Sequence, residues 1–172
     1  MADSKLSALA ALTGANVDTA ADLLYIDDVS VTTSKKILVD EVRIALLSNT
    51  AITNSLAADV ALNNISNYFT GPTCAQGSTG TWFASGKVTF KDTASAATFL
   101  VKLWDGTTVI DSANVRSTGA GNNATCSLSG YLASPAGNIR ISVQDSSLTT
   151  GKIVFNDSGE SKDSTLSVFR IG

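Results

Sequence analysis

The sequence predicts a mainly β chain: a small N-terminal anchor made of a β-hairpin and a helix, then an antiparallel β-sandwich of jelly-roll type. Three observations predict it. Apolar residues alternate with period two over several stretches of the C-terminal two thirds. Turn signals recur there about every ten residues, the spacing that sandwiches and jelly rolls require. The composition leans on Ser, Thr, Asn, Ala and Gly, with 13 Asp against only 2 Glu. Asp, Asn, Ser and Gly favour turns, and Thr and Val favour strands.

Residues 1–48 form one compositional block, which carries the whole net charge of −3, while the remainder is neutral. Leu6, Leu9 and Leu12 recur at three-residue spacing and make a short helical turn. Leu23, Leu24, Tyr25 and Ile26 form an apolar run that ends at the turn signal Asp27-Asp28. Lys36 to Val39 reads as a returning strand. Asp40 is then a plausible N-cap, with Glu41 in the first turn, where the helix dipole favours an acid. Val42, Ala45 and Leu46 line one face of a helix near 41–48. Some 48 residues bury too little surface to stand alone, so this module is expected to fold against something larger.

Residues 49–70 carry one charge, Asp59, and much Asn and Ser. Ile52, Leu56, Val60 and Leu62 are loosely spaced and sustain no heptads. A linker or thin stalk is expected. Residues 71–172 read as the β-domain. Trp82, Ala84, Gly86, Val88 and Phe90 share one phase of a strand, with Ser85, Lys87 and Thr89 on the other. Phe99, Val101 and Leu103 repeat the pattern. Asp105-Gly106 and then Val109-Ile110 predict a tight hairpin. Ala124, Cys126, Leu128 and Leu132 mark another strand, and Ile139, Ile141 and Val143 a further one. Lys152–Phe155 and Leu166–Ile171 complete the set. Trp82 falls in the core phase. Trp104 and Tyr131 fall out of phase, and each is a candidate for a subunit interface or a sugar contact.

Much chemistry is excluded. There is no histidine, which removes the commonest general base and the commonest metal ligand. A pI near 4.7 argues against nucleic acid as a partner, because affinity for phosphate rests on clustered Lys and Arg. No stretch reaches the roughly 20 apolar residues that span a bilayer, and no secretory signal opens the chain, so synthesis in a cytoplasm without membrane insertion is expected. No HExxH, phosphate loop or Ser-x-x-Lys pattern occurs, and Gly119-Ala120-Gly121 lacks the strand-to-helix context of a dinucleotide site. No catalytic residue, cofactor or metal is expected. Asp18, Asp22, Asp27 and Asp28 offer oxygens suited to calcium but lack the spaced loop that would hold it, and solvated turn charges are the better reading. Cys74 and Cys126 admit two readings: buried free thiols, or a disulfide if their Cα atoms lie within about 7 Å.

Two stretches carry a family resemblance. Residues 5–46 contain K-L-S-A-L-x-A-L-T-G-A, then D-L-L-Y-I-x-D, then T-T-S-K-K-I-x-V-D-E-x-R. They resemble an N-terminal module of tailed-phage virion proteins. Residues 79–110 and 128–172 contain T-G-T-W-F-A-S-G, K-L-W-D-G-T-T-V-I, L-A-S-P-A-G-N-I-R-I-S-V and K-D-S-T-L-S-V-F-R-I-G. They resemble a β-domain of phage fibre and decoration proteins. The resemblance implies a non-enzymatic structural protein on the virion surface, made in the host cytoplasm. Leu6, Leu9, Leu12, Leu23, Leu24, Tyr25 and Ile26 would then dock on other virion proteins, of the capsid or of the tail or collar. The β-domain would project outward, as a homotrimer. A head decoration or short head fibre is the first expectation. The alternative is a tail or collar fibre that binds a host-surface glycan.

Overall fold

The computed structural model describes residues 51–171 and, ahead of them, two short strands, β1 (Leu23–Ile26) and β2 (Lys35–Leu38). The chain divides into two compact units, Met1–Ser48 and Asn49–Gly172. In the first unit β1 and β2 pair antiparallel, Leu23 opposite Leu38 and Ile26 opposite Lys35. This is the expected hairpin. The helix expected near 41–48, the turn at Leu6, Leu9 and Leu12, and the side chains of Leu23, Leu24, Tyr25 and Ile26 lie outside the described residues.

The second unit is an antiparallel, jelly-roll-like β-sandwich. Its strands are β3 (Ala51–Ser55), β4 (Val60–Leu62), β5 (Phe69–Cys74), β6 (Thr81–Asp92), β7 (Thr98–Trp104), β8 (Val109–Arg116), β9 (Ala124–Ala133), β10 (Ile139–Asp145), β11 (Gly151–Ile153) and β12 (Thr165–Arg170). One sheet runs β5-β10-β7-β8. The other runs β3-β12-β6-β11-β4, with β9 paired to the free side of β6. Segment 49–70 is therefore not a linker. β3 pairs β12 and β4 pairs β11, so both belong to the six-stranded sheet. The composition misled because β3 is an edge strand, exposed or half-buried throughout, and an edge strand tolerates polar residues on both faces.

The core forms where the alternating residues of the two sheets meet. Phe99, Val101 and Leu103 of β7 and Ile139, Ile141 and Val143 of β10 point inward from one sheet. Trp82, Ala84, Val88 and Phe90 of β6, with Leu166 and Val168 of β12, meet them from the other. Phe90 and Phe99 touch across the interface, centroids 4.5 Å apart and tilted 40°, the offset geometry that ring quadrupoles favour. Trp82 is buried as expected and donates its Nε1–H to the Thr79 carbonyl at 3.0 Å.

β6 is the spine, since one of its sides serves two partners in turn. Residues 82–87 pair β12, and residues 90–92 pair β11. Between them the ladder is interrupted, and Ser164 fills the gap. Its Oγ accepts from Thr89 N–H at 3.1 Å and donates to the Val154 carbonyl at 2.8 Å. Val154 N–H in turn reaches the Thr89 carbonyl at 2.8 Å. Gly86 lies where β12 passes closest, and a Cβ there would sit 2.6 Å from the Thr165 carbonyl oxygen. The side near β8 and β9 is closed in a similar way. A Cβ on Gly130 would meet Ile110 at 2.6 Å, and Asp111 accepts from Ser129 N–H at 3.0 Å.

Both cysteines are free thiols and both are buried. The disulfide alternative therefore fails, and the two thiols pack in different places. Cys74 on β5 packs at the β3 and β12 side, its Sγ 3.4 Å from the Leu166 carbonyl. Cys126 on β9 stands opposite Val88 of β6. Burial pushes both thiols above their ordinary pKa, helped at Cys126 by the negative charge of Asp111 and only partly offset at Cys74 by a backbone hydrogen bond.

Two outcomes follow. Phe99→Ala should lower the unfolding free energy by about 3–5 kcal/mol, read from urea denaturation of the whole chain. Reducing agent should leave the unfolding midpoint unchanged, and a thiol reagent should label Cys74 and Cys126 only once the chain is denatured.

Candidate functional site

The two outward faces of the sandwich differ in chemistry, and each holds one of the out-of-phase aromatics. On the six-stranded sheet, Tyr131 of β9, Phe83 of β6 and Phe169 of β12 occupy one rung. Phe83 lies 4.9 Å from Tyr131 and 5.1 Å from Phe169, tilted about 50° to each. Tyr131 is 65 % exposed, and Phe169 and Ile171 are exposed beside it. The next rung is hydroxylic, with Ser129, Ser85 and Ser167 aligned and the Thr53 and Ser167 hydroxyls 2.8 Å apart, and the one after it holds Lys87 between Ser127 and Thr165. A compact aromatic patch therefore ends a polar face.

On the four-stranded sheet, Trp104 stands outward beside Arg140, its cross-strand partner on β10. Its Nε1–H donates to the Ser142 hydroxyl at 2.9 Å, so its polar edge is satisfied. The Lys102 ammonium lies 3.4 Å from the centroid of the Trp104 ring and 3.9 Å from that of Tyr68. The Arg140 guanidinium carbon lies 5.0 Å from the Trp104 centroid. Tyr68 comes from the β4–β5 loop, which is drawn over this face by a bond from the Gln144 amide to the Ile65 carbonyl. Gly106 in the β7–β8 hairpin, at φ +100°, leaves room for Arg140: a Cβ there would sit 2.3 Å from Nη2. Burial first, then the Arg140 charge, holds Lys102 below the ordinary lysine range. Trp104 was thus legible as outward-facing, as Arg140 was by its alternation with Ile139 and Ile141, but nothing in the sequence marked Tyr68, Lys102 and Arg140 as its neighbours. They meet only through the strand pairing.

The carboxylates are used structurally. Asp105 is buried and accepts from Thr107 N–H at 2.8 Å, Thr108 N–H at 2.7 Å and Ala136 N–H at 2.7 Å. Burial works to raise its pKa, but these amides outweigh burial and hold it below the usual range. Asp92 is likewise buried, and Ala94 N–H, Ser95 N–H and the Thr150 hydroxyl bring it low against the effect of burial. Asp163 accepts from the Asp157 and Ser158 amides, and its pKa is lowered. Asp59 and Asp157, lowered chiefly by their lysine partners, form the ion pairs Lys152–Asp59 at 2.6 Å and Lys91–Asp157 at 2.7 Å. Asp145 differs. Its Oδ1 accepts from Ser147 and Leu148, but its buried Oδ2 meets no donor from the protein's amides or hydroxyls, and its carboxyl can bond the neighbouring Asp92 only when it carries a proton. Burial, joined by the neighbouring Asp92, outweighs those two amides and raises it.

A shallow depression of about 430 Å³, lined by Ala57, Ala58, Asp59, Phe155, Asn156 and Asp157, borders the two ion pairs. Its two carboxylates already hold lysines, so it presents no free acid and base pair. No group of three or more His, Cys, Asp or Glu suited to a metal occurs among the described residues.

No protein-family model matches the chain, and no curated protein sequence does. Solved structures do share its outline. The Eiger TNF of S. frugiperda is 8 % identical with a TM-score of 0.48, over 72 % of this chain and 93 % of that one. The VP2 protein of infectious bursal disease virus is 10 % identical with a TM-score of 0.42, over 88 % of this chain but only 37 % of that one. The PRD1 vertex protein P5 is 12 % identical with a TM-score of 0.37, over 72 % of this chain and 96 % of that one. The fold class is given by the strand pairings themselves, and similarity at this level adds nothing about function.

The aspartates set a pH prediction. Asp59, Asp92, Asp105, Asp157 and Asp163 have folded pKa values below the ordinary 3.8. Their stabilisation is complete above that value and is lost as pH falls through the folded pKa. Asp145 has the opposite sign: its contribution is present at low pH and lost as pH rises through its raised pKa. Asp145→Asn keeps the Oδ1 acceptor and can donate toward Asp92. It should raise the thermal midpoint at pH 7, with the gain shrinking toward pH 3, as followed by circular dichroism.

Proposed function

We propose that this protein is a non-enzymatic structural component of a bacteriophage virion, exposed on the particle surface as a head decoration or short head fibre. The observation that carries the reading is the resemblance of residues 5–46 to a phage docking module. The separation of that stretch from the β-sandwich at Ser48 and Asn49 supports it. In this reading the N-terminal unit docks on other virion proteins and the sandwich is the exposed knob. Burial of the apolar Leu23–Ile26 run against the partner would supply affinity, at about 25 cal/mol per Å² before ordering costs.

The knob self-associates, as a trimer, through the Tyr131–Phe83–Phe169 patch. An exposed aromatic cluster beside a hydroxyl rung has the composition of an interface centre with a polar border. The second reading, a tail or collar fibre that binds a host glycan, is favoured by the cation-bearing outer face of the four-stranded sheet.

Copy number per purified particle, by quantitative mass spectrometry against the major capsid protein, tests the placement. A ratio comparable to the capsid protein is expected, and a few trimers per particle would favour the fibre. Absence from particles would sink both readings. For self-association, light scattering should give a trimer for the unaltered chain and at least a tenfold weaker association for the Tyr131→Ser, Phe169→Ser double variant. A monomer at all concentrations would remove the trimer.

A further inference from the structure

We propose that the outward face of the four-stranded sheet, centred on Lys102 and Arg140, binds the carboxylate of an acidic saccharide. The face brings two cations together around one tryptophan ring. The described residues contain two ion pairs, and neither involves Lys102 or Arg140. The nearby carboxylate in the same hairpin, Asp105, is buried and fully engaged by three backbone amides. Asp111 on β8 already accepts from the Ser112 and Ser129 amides. Arg140 Nε is buried and has no hydrogen-bond partner. An orphaned buried donor on a charged group is costly, and it leaves this guanidinium without a carboxylate to offset its charge.

The cations are held in place in advance. The Lys102 ammonium lies between the rings of Tyr68 and Trp104. Such contacts fix the position of a cation without neutralising its charge. Arg140 rests against Trp104 on one side and the backbone of Gly106 on the other. Two like charges fixed near each other attract an anion to both; burial, and after it the Arg140 charge, holds Lys102 below the ordinary lysine range. Little side-chain entropy remains to be lost on binding.

The surroundings select a sugar acid over a bare anion. Tyr68 is 38 % exposed, so part of its flat ring is open to the C–H face of a pyranose. Thr70 stands opposite Ser142, and Ser112 opposite Lys102, so hydroxyl groups flank the cations on both neighbouring strands. These groups can exchange hydrogen bonds with sugar hydroxyls. Carboxylate, apolar ring face and hydroxyls occur together in a uronic or sialic acid residue. The inference does not depend on where in a particle the chain sits, so failure of the copy-number measurement would leave it standing, and the reverse.

The test is calorimetric titration of the whole chain with tetragalacturonate. The probes beside it are its methyl ester, inorganic phosphate and a glutamate peptide of equal charge. The charged tetrasaccharide should bind, weaken as salt rises, and bind at least tenfold more tightly than the ester. Lys102→Met and Arg140→Met should each weaken it at least tenfold while the unfolding midpoint stays near that of the unaltered chain. If either variant unfolds, the conservative Arg140→Lys, which removes the planar guanidinium fork, should still weaken binding. Absence of binding at millimolar sugar, equal binding of the ester, or indifference to all three substitutions would overturn the proposal. Equal binding of phosphate or of the glutamate peptide would also overturn it, by removing the saccharide.

Discussion

The sandwich depends on aspartate side chains that take over hydrogen bonding where the β-ladders stop. A strand that turns leaves backbone amides without ladder partners, and near the core water cannot satisfy them. Asp92, Asp105, Asp145 and Asp163 each accept two or more hydrogen bonds from such turns. A carboxylate one carbon from the backbone reaches an amide two or three residues on, which the longer Glu does less well. The preference for Asp over Glu is therefore an architectural requirement of many short strands joined by tight turns. Asp105 shows its reach. It closes the β7–β8 hairpin and also takes the Ala136 amide just before β10. It thus fixes the loop beside Arg140 and Trp104 together with the hairpin that carries Gly106.

The two outer faces follow from the same framework with different side chains. β6 pairs on both sides, so its outward residues fall in line with those of β9 and β12 and give continuous rungs of serine and aromatic residues. β7 and β10 do the same on the opposite sheet, where the rungs hold Lys102 with Ser142 and Trp104 with Arg140. One face offers apolar area, suited to a protein surface. The other offers fixed charge beside an exposed ring, suited to a small polar ligand. Both are available at once, since they lie on opposite sides of one core.

The central strands were legible because their period-two pattern is a direct consequence of one buried face. Val88 and Ile141 alternate with polar neighbours and lie in the core. The edge strands β3 and β4 were not legible. β3 is exposed at Ala51, Thr53 and Asn54 and only partly buried at Ile52 and Ser55, so its residues need not alternate. β4 is three residues long, too short for any period. Buried Asp145 was also invisible, because a sequence gives no sign that an acid will be enclosed. For the candidate site, Trp104 was marked by its phase. Arg140 became its neighbour through a β7–β10 register that no local pattern encodes, and Tyr68 through a loop folded across the sheet.

The placement of β3 has a mechanical consequence. Its first residue, Ala51, stands opposite Phe169, and its last, Ser55, opposite Thr165. Near that far end, Lys162 reaches the Ser55 hydroxyl at 3.2 Å. A pull on Ala51 resisted at Phe169 would open the pair one rung at a time, like a zipper. A pull on Ala51 resisted from the Lys162 end would load every rung together in shear, and many bonds would have to break at once. A load carried from residue 51 toward the Lys162 end is thus borne by a five-residue edge strand in the direction in which that strand is strongest.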